Sequence, residues 1–207
     1  MKPNRTASEI GKSNSRRAKV HERRVASLLT EWSGVEFRRR RVEGRETQVL
    51  ARDSSADVVA AEYDFLFSVE AKCGANFSLD AVLASPKTAL FTSWWFQCSW
   101  DAHLMTESLG SEIHPMLFFK PNPAHDWVAI SQQSIGNLVH LNNMPYQYLQ
   151  FPHLSLNTYE WCGQITGNIS HSKKNPKLID RQLEPVVIFR WKDFAANIKV
   201  DGLLKQR

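Results

Sequence analysis

Residues 56–72 read Ala-Asp-Val-Val-Ala-Ala-Glu-Tyr-Asp-Phe-Leu-Phe-Ser-Val-Glu-Ala-Lys. Two runs of strand-forming residues, 56–61 and 65–72, flank a short polar connection, and this pattern predicts a β-hairpin. With a tight turn at the centre of the connection, Asp57 faces Glu70. Directly opposed side chains lie on the same face of a sheet, so the hairpin brings two carboxylates together.

Lys72 is expected on the same face as these carboxylates, because strand side chains alternate between the two faces. The other face is apolar and provides a core, with Phe65, Phe67, Val69 and Ala71. Two neighbouring carboxylates repel each other unless a cation holds them, and hard oxygen ligands suit a divalent ion such as magnesium. The alternative is that the acidic and basic side chains lie on a solvated face of the hairpin.

A helix is predicted over residues 15–32, with Gly34 as its terminator. Its apolar stripe recurs at three- and four-residue steps and consists of Ala18, Val25, Leu28, Leu29 and Trp32. Glu22 falls on this stripe, although carboxylates are seldom buried without a partner. It is either a third carboxylate of the metal site or the partner of an arginine such as Arg38 or Arg39.

Four motifs occur in order along residues 11–72: Gly11-Lys12-Ser13-Asn14-Ser15-Arg16-Arg17, His21-Glu22-Arg23-Arg24, Ser54-Ser55-Ala56-Asp57-Val58-Val59 and Val69-Glu70-Ala71-Lys72. Together they resemble the PD-(D/E)xK nuclease superfamily, with archaeal-type Holliday-junction resolvases and their phage relatives as the nearest match. Ala56 stands where the superfamily name has proline. The resemblance implies an α/β fold with a restriction-endonuclease-like core, in which a mixed central β-sheet is flanked by helices and followed by a C-terminal extension.

The resemblance also implies roles for individual residues. Asp57 and Glu70 would be metal ligands, with the backbone carbonyl of Ala71 as a further ligand and Glu22 completing the acidic cluster. Lys72 would orient or activate the attacking water. The implied metal is Mg²⁺, for which Mn²⁺ can substitute. Gln97 is a candidate accessory residue that could bind the phosphate, and a plain surface glutamine is the alternative.

Basic charge is concentrated in the first quarter of the chain. Residues 1–52 contain fourteen Lys and Arg against six Asp and Glu, whereas the whole chain has a net charge of +5. Candidate DNA-binding residues are Arg16, Arg17, Arg38, Arg39, Arg40 and Arg41. Arginines in such a run can contact DNA phosphates, and a solvated charge run is the alternative.

Several classes of protein and cofactor are disfavoured by the sequence. Three unclustered cysteines fit a reducing cytoplasm. The resemblance implies that this is the cytoplasm of a prokaryotic or a phage-infected host cell. No apolar run reaches membrane-spanning length, so no membrane partner is expected. Gly11-Lys12-Ser13 resembles the end of a phosphate-binding loop but lacks the preceding glycine, since Thr6 stands there, so no nucleotide cofactor is expected.

Three regions are predicted: a basic flexible arm over residues 1–14, the nuclease core over 15–131, and a C-terminal extension over 132–207. The extension is expected to be loop-rich, to end in a strand and a helix, and to pack on the core. The leading functional hypothesis is a magnesium-dependent DNA endonuclease that resolves branched DNA as a homodimer. A restriction-like or repair duplex nuclease and a non-catalytic nucleic-acid-binding protein are the alternatives.

Overall fold

The computed structural model describes residues 6–40, 56–74, 90–121, 125–131, 133–134, 153–156, 186–200 and 203–206. The predicted candidate Arg41 lies outside these ranges, as does most of the expected loop-rich segment.

Helix α1 spans Ala7–Ser33 and ends at Gly34, which has a φ of 73°. Its first turn is closed by a capping box, in which Thr6 and Glu9 satisfy each other's backbone N–H groups. The predicted start at residue 15 was therefore wrong. Residues 7–14, which were assigned to a flexible arm, are helical because this cap stabilises the earlier start.

Nine strands are described: β1 Phe37–Arg39, β2 Val58–Ala60, β3 Tyr63–Phe65, β4 Phe67–Gly74, β5 His114–Pro121, β6 Trp127–Ser131, β7 His153–Leu156, β8 Val186–Arg190 and β9 Leu204–Gln206. Seven of them form one sheet in the order β1-β2-β4-β5-β6-β8-β7. The β4–β5 pairing is parallel and the other described pairings of this sheet are antiparallel.

Helix α2, Leu90–Leu109, lies between β4 and β5 in the chain, and a parallel pair needs a crossover of this length. Helix α3, Trp191–Asn197, follows β8. The predicted α/β class, with a mixed sheet flanked by helices, is confirmed.

The hairpin register is confirmed as well. Val58 pairs with Val69, and the Asp57 N–H donates to the Val69 carbonyl at 2.8 Å, which places Asp57 beside Glu70. The tight connection was wrong, because residues 63–65 form β3 and pair with β9 near the end of the chain.

The two faces of the sheet pack against different helices. The face predicted to be apolar packs with α1 and α3, in a cluster that includes Leu29, Val69, Phe118 and Phe194. The other face packs under α2, where Trp95 contacts the β5 side chains. Helix α2 thus contributes to the core through Trp95, which is 1% exposed.

Part of the expected C-terminal extension completes the central sheet, since β8 lies between β6 and β7. The segment after α3 also returns to α1, where Trp32 Nε1 donates to the Ile198 carbonyl at 2.8 Å. The helix expected after the C-terminal strand is α3, with Arg190 as its N-cap and Asp193 in its first turn. The division of the chain at residue 131 stays a prediction. Within the described part of the chain, no helix is long and apolar enough to cross a membrane.

Candidate active site

Asp57 is held at the point where β1, β2 and β4 meet. Its carbonyl accepts from the Arg40 N–H at 2.9 Å, and its N–H donates to β4. Its side-chain Oδ2 accepts from the Ala71 N–H at 3.0 Å. These three hydrogen bonds fix the carboxylate against the middle of β4, beside Glu70.

Glu70 is a buried carboxyl group, with 2% of the residue exposed. Burial and, after it, the Asp57 carboxylate in hydrogen-bond contact with Glu70 together raise the pKa of Glu70 to about 9, while Lys72 opposes the shift. Two acidic groups in direct contact inside a protein repel when both are ionised. A bound cation would relieve this repulsion.

Lys72 reaches back to Glu70 along the same face of β4. Its Nζ lies 2.6 Å from Glu70 Oε2, an ion-pair contact without hydrogen-bond geometry. Burial would lower the pKa of Lys72, but the attraction of the Glu70 and Asp57 carboxylates outweighs burial and raises this pKa. Lys72 therefore carries a positive charge beside the two carboxyl groups.

Helix α2 packs on the face of β4 that carries Glu70 and Lys72. Cys98 is fully buried, and its Sγ lies 3.9 Å from the Ser68 carbonyl on β4. Asp57 and Lys72 are only partly buried, so a substrate can approach the site from their side. The carboxylate set of Asp57 and Glu70 fits a hard divalent cation, because both are oxygen ligands and their mutual repulsion favours its binding.

Glu22 is not brought to this pair in the structure. Its carboxylate binds the Arg39 guanidinium, which is the alternative pairing that the sequence left open. Among the described residues, no group of three or more His, Cys, Asp or Glu side chains is placed to hold a metal ion. The structure thus gathers two of the three expected carboxylates, and the role of Glu22 stays a prediction.

The other candidate residues lie around the site rather than in it. Arg16 and Arg17 are exposed on α1, and Arg38 is exposed on β1. Arg40 follows β1 and is tied through its backbone to Asp57. Gln97 is exposed on α2.

His21 is a buried residue that the sequence analysis did not assign to the apolar stripe of α1. It is 5% exposed, and its Nε2 has no hydrogen-bond partner among the described residues. Burial lowers the pKa of His21, and the nearby Asp126 carboxylate opposes this shift. Helical periodicity indicates this burial, because His21 lies four residues before Val25 on the apolar stripe of α1.

The fold and the site together define a class of protein. A mixed sheet between helices, with an Asp on one hairpin strand and a Glu-Ala-Lys on the next, is the restriction-endonuclease-like core of a PD-(D/E)xK nuclease. The chain belongs to the family described as "Phage putative PDDEXK endonuclease", which matches residues 13–175. The expected superfamily and the expected link to phages are confirmed. No curated protein and no solved structure matches the chain.

The buried Glu70 carboxyl leads to a prediction about stability without metal. Its pKa in the folded protein lies above its ordinary value of 4.5, so the folded state loses stability as pH rises from about 4.5 to about 9. Glu70→Gln removes the ionisable group and therefore this loss of stability with rising pH. At pH 8 with a chelator, we expect Glu70→Gln to raise Tm by about 2–4 °C, the shift that ~1 kcal/mol gives a domain of this size. Thermal unfolding followed by circular dichroism measures it.

The matched control is Glu62→Gln, which makes the same change at an exposed position. The Tm difference between Glu70→Gln and the wild-type protein should shrink near pH 5. Adding Mg²⁺ should raise the Tm of the wild-type protein more than that of the variant. A Glu70→Gln protein less stable than wild type at pH 8 would contradict the assigned repulsion.

Proposed function

We propose that this protein is a magnesium-dependent DNA endonuclease that cuts branched DNA, as a Holliday-junction resolvase does. The observation that carries the proposal is the contact between the Asp57 and Glu70 carboxyls, with the Lys72 ammonium 2.6 Å from Glu70. PD-(D/E)xK nucleases typically use divalent metals. The phage family of the chain supports action in the cytoplasm of an infected cell.

Each residue of the site has a distinct task in the proposed reaction. Asp57 and Glu70 would hold the ion, and the backbone carbonyl of Ala71 is a further candidate ligand. When bound, the ion supplies a Lewis acid that neutralises charge on the phosphate oxygens. The Ala71 N–H keeps the Asp57 carboxylate oriented before the substrate arrives.

Lys72 is proposed to place a point charge at the scissile phosphate and to orient the attacking water. An ammonium in a partly buried site stabilises developing negative charge more strongly than it would in water. Its contact with Glu70 holds it at the mouth of the site, on the side open to substrate.

DNA binding is proposed to use the exposed arginines Arg16, Arg17 and Arg38, with Arg40 beside Asp57. Glu22 stays a predicted third ligand, although Arg39 binds its carboxylate here. A homodimer is proposed because a two-fold axis places two cutting sites symmetrically, which matches the two scissile strands of a four-way junction.

The test incubates purified protein with labelled four-way junctions, linear duplexes and single strands, each with and without Mg²⁺. Branched-DNA resolution predicts paired, symmetric nicks in the junction only, and only with Mg²⁺. Equal cutting of linear duplex would replace the proposal with a restriction-like or repair nuclease. Metal-independent binding of DNA without any product would contradict nuclease activity altogether.

A further inference from the structure

A groove of about 790 Å³ lies at the ends of β4 and β5, beyond the proposed metal site. One wall is the first half of α1, the floor is Cys73 and Gly74 at the end of β4, and Leu90 at the start of α2 lies on the opposite side. Cys73 directly follows Lys72 on β4, ~3.3 Å along the strand, and its side chain lies on the opposite face of the strand. The groove and the proposed site are therefore neighbours at the end of β4.

The walls of the groove carry several positive charges. Arg16 and Arg17 are exposed residues that line it, and Arg24 and Lys120 line it further along. Asp126 pairs with Arg24 at 2.6 Å and lies 3.9 Å from Lys120, so it neutralises part of this charge. Among the described residues no ion pair of Arg16 or Arg17 is found, so the positive charge at this end of the groove favours an anionic occupant.

The groove also presents apolar side chains to solvent. Val20 on α1 is 56% exposed and Leu90 on α2 is 41% exposed, and both line it. At Gly74 an added Cβ would lie 3.2 Å from the Trp94 ring, so the glycine lets α2 pack closely on the end of β4. Basic and apolar walls in one groove match an occupant with charged phosphates and apolar faces on its bases, which is the chemistry of a single nucleic-acid strand.

We propose that this groove binds an unpaired DNA strand next to the metal site. Phosphates would lie against Arg16 and Arg17, and sugars or bases against Val20 and Leu90. The volume is in the ~300–1,000 Å³ range of sites that enclose small ligands, so it suits a few nucleotides of one strand rather than a duplex. The inference rests on the proposed nuclease function, and it names the unpaired strand at a branch point as the feature that selects the substrate.

The test measures binding of a fluorescent twelve-nucleotide single strand and of a duplex of the same length by anisotropy, with a chelator present. Arg16→Ala and Arg17→Ala should each weaken single-strand binding and lower the slope of log Kd against log salt by about 0.7. Lys19→Ala is the matched control, since Lys19 is exposed on the same helix but does not line the groove. This control should leave the slope unchanged.

A second pair of variants tests the apolar side. Val20→Ser and Leu90→Ser should weaken single-strand binding without changing the salt slope, whereas Leu109→Ser, at the exposed far end of α2, should do neither. Equal losses for the duplex and the single strand would overturn the proposal, because the groove would then read a duplex backbone. Losses no larger than those of the controls would also overturn it.

The outcome is separable from that of the proposed function, because binding is measured without metal and cutting is measured with it. Groove variants that lose single-strand binding in a protein that never cuts DNA would refute the nuclease function alone. A nuclease whose groove variants bind and cut like wild type would refute the groove assignment alone.

Discussion

Asp57→Asn is expected to reduce DNA cutting by at least ~10²–10³-fold, the loss that follows removal of one group stabilising charge in a transition state. The change removes the negative charge that would hold the metal, yet the amide oxygen can still accept the Ala71 N–H. The fold and the DNA affinity should therefore be retained. Initial rates on a labelled junction, measured beside anisotropy on the same DNA, give both quantities.

Asp64→Asn is the control for this variant, because it makes the same change at an exposed residue of β3. It should cut at the wild-type rate. Wild-type turnover by Asp57→Asn would refute the assigned ligand, and loss of DNA binding together with cutting would assign Asp57 to the DNA interface instead.

Lys72→Ala is expected to lower the cutting rate by about 10²–10⁴-fold, the range measured for groups that position or transfer protons. Its charge, 2.6 Å from Glu70, would no longer reach the phosphate. The fold should survive, because burial already favours a protonated Glu70 that needs no cation. The loss should fall on kcat rather than on KM, and single-turnover kinetics separate the two.

Lys192→Ala removes an exposed lysine of α3 and should leave the rate unchanged. Lys72→Arg keeps the charge with a different geometry, so it should recover only part of the rate. Full activity in Lys72→Ala, or a loss of ellipticity that accounts for the lost rate, would contradict the proposed role.

Local patterns were sufficient to predict the centre of the fold. The alternation of residues 65–72 fixed which side chains of β4 face the core, and the hairpin symmetry placed Val58 opposite Val69. Both depend on neighbours close in sequence, whose spacing is set by strand geometry. The start of α1 could also have been predicted, because Thr6 and Glu9 have the spacing of a capping box. The helix was nevertheless predicted to begin at residue 15.

Contacts between distant segments could not be predicted in the same way. Residues 62–64 were assigned to the connection of the hairpin, since nothing nearby indicates that residues 63–65 pair with Leu204–Gln206. The place of β8 inside the sheet likewise depends on a pairing with β6, some sixty residues earlier. Sequence periodicity describes which face of an element is buried but not which element covers it.

In the candidate site too, contacts between residues close in sequence were predictable and contacts between distant segments were not. The pair of Asp57 and Glu70 followed from one hairpin, whereas the position of Glu22 depended on how α1 crosses the sheet. From its place on the apolar stripe, Glu22 could either join the metal site or pair with an arginine. In the folded protein it binds Arg39. The groove next to the site was missed because its lining residues come from α1, α2 and two strands.

The central claim is that Asp57 and Glu70 hold a divalent cation beside Lys72. Diffraction from crystals soaked in Mn²⁺ near pH 8, recorded where manganese scatters anomalously, tests it most directly. The account predicts an anomalous peak about 2.1 Å from oxygens of both carboxylates. A map with no peak between Asp57 and Glu70, in crystals where both side chains are ordered, would contradict it.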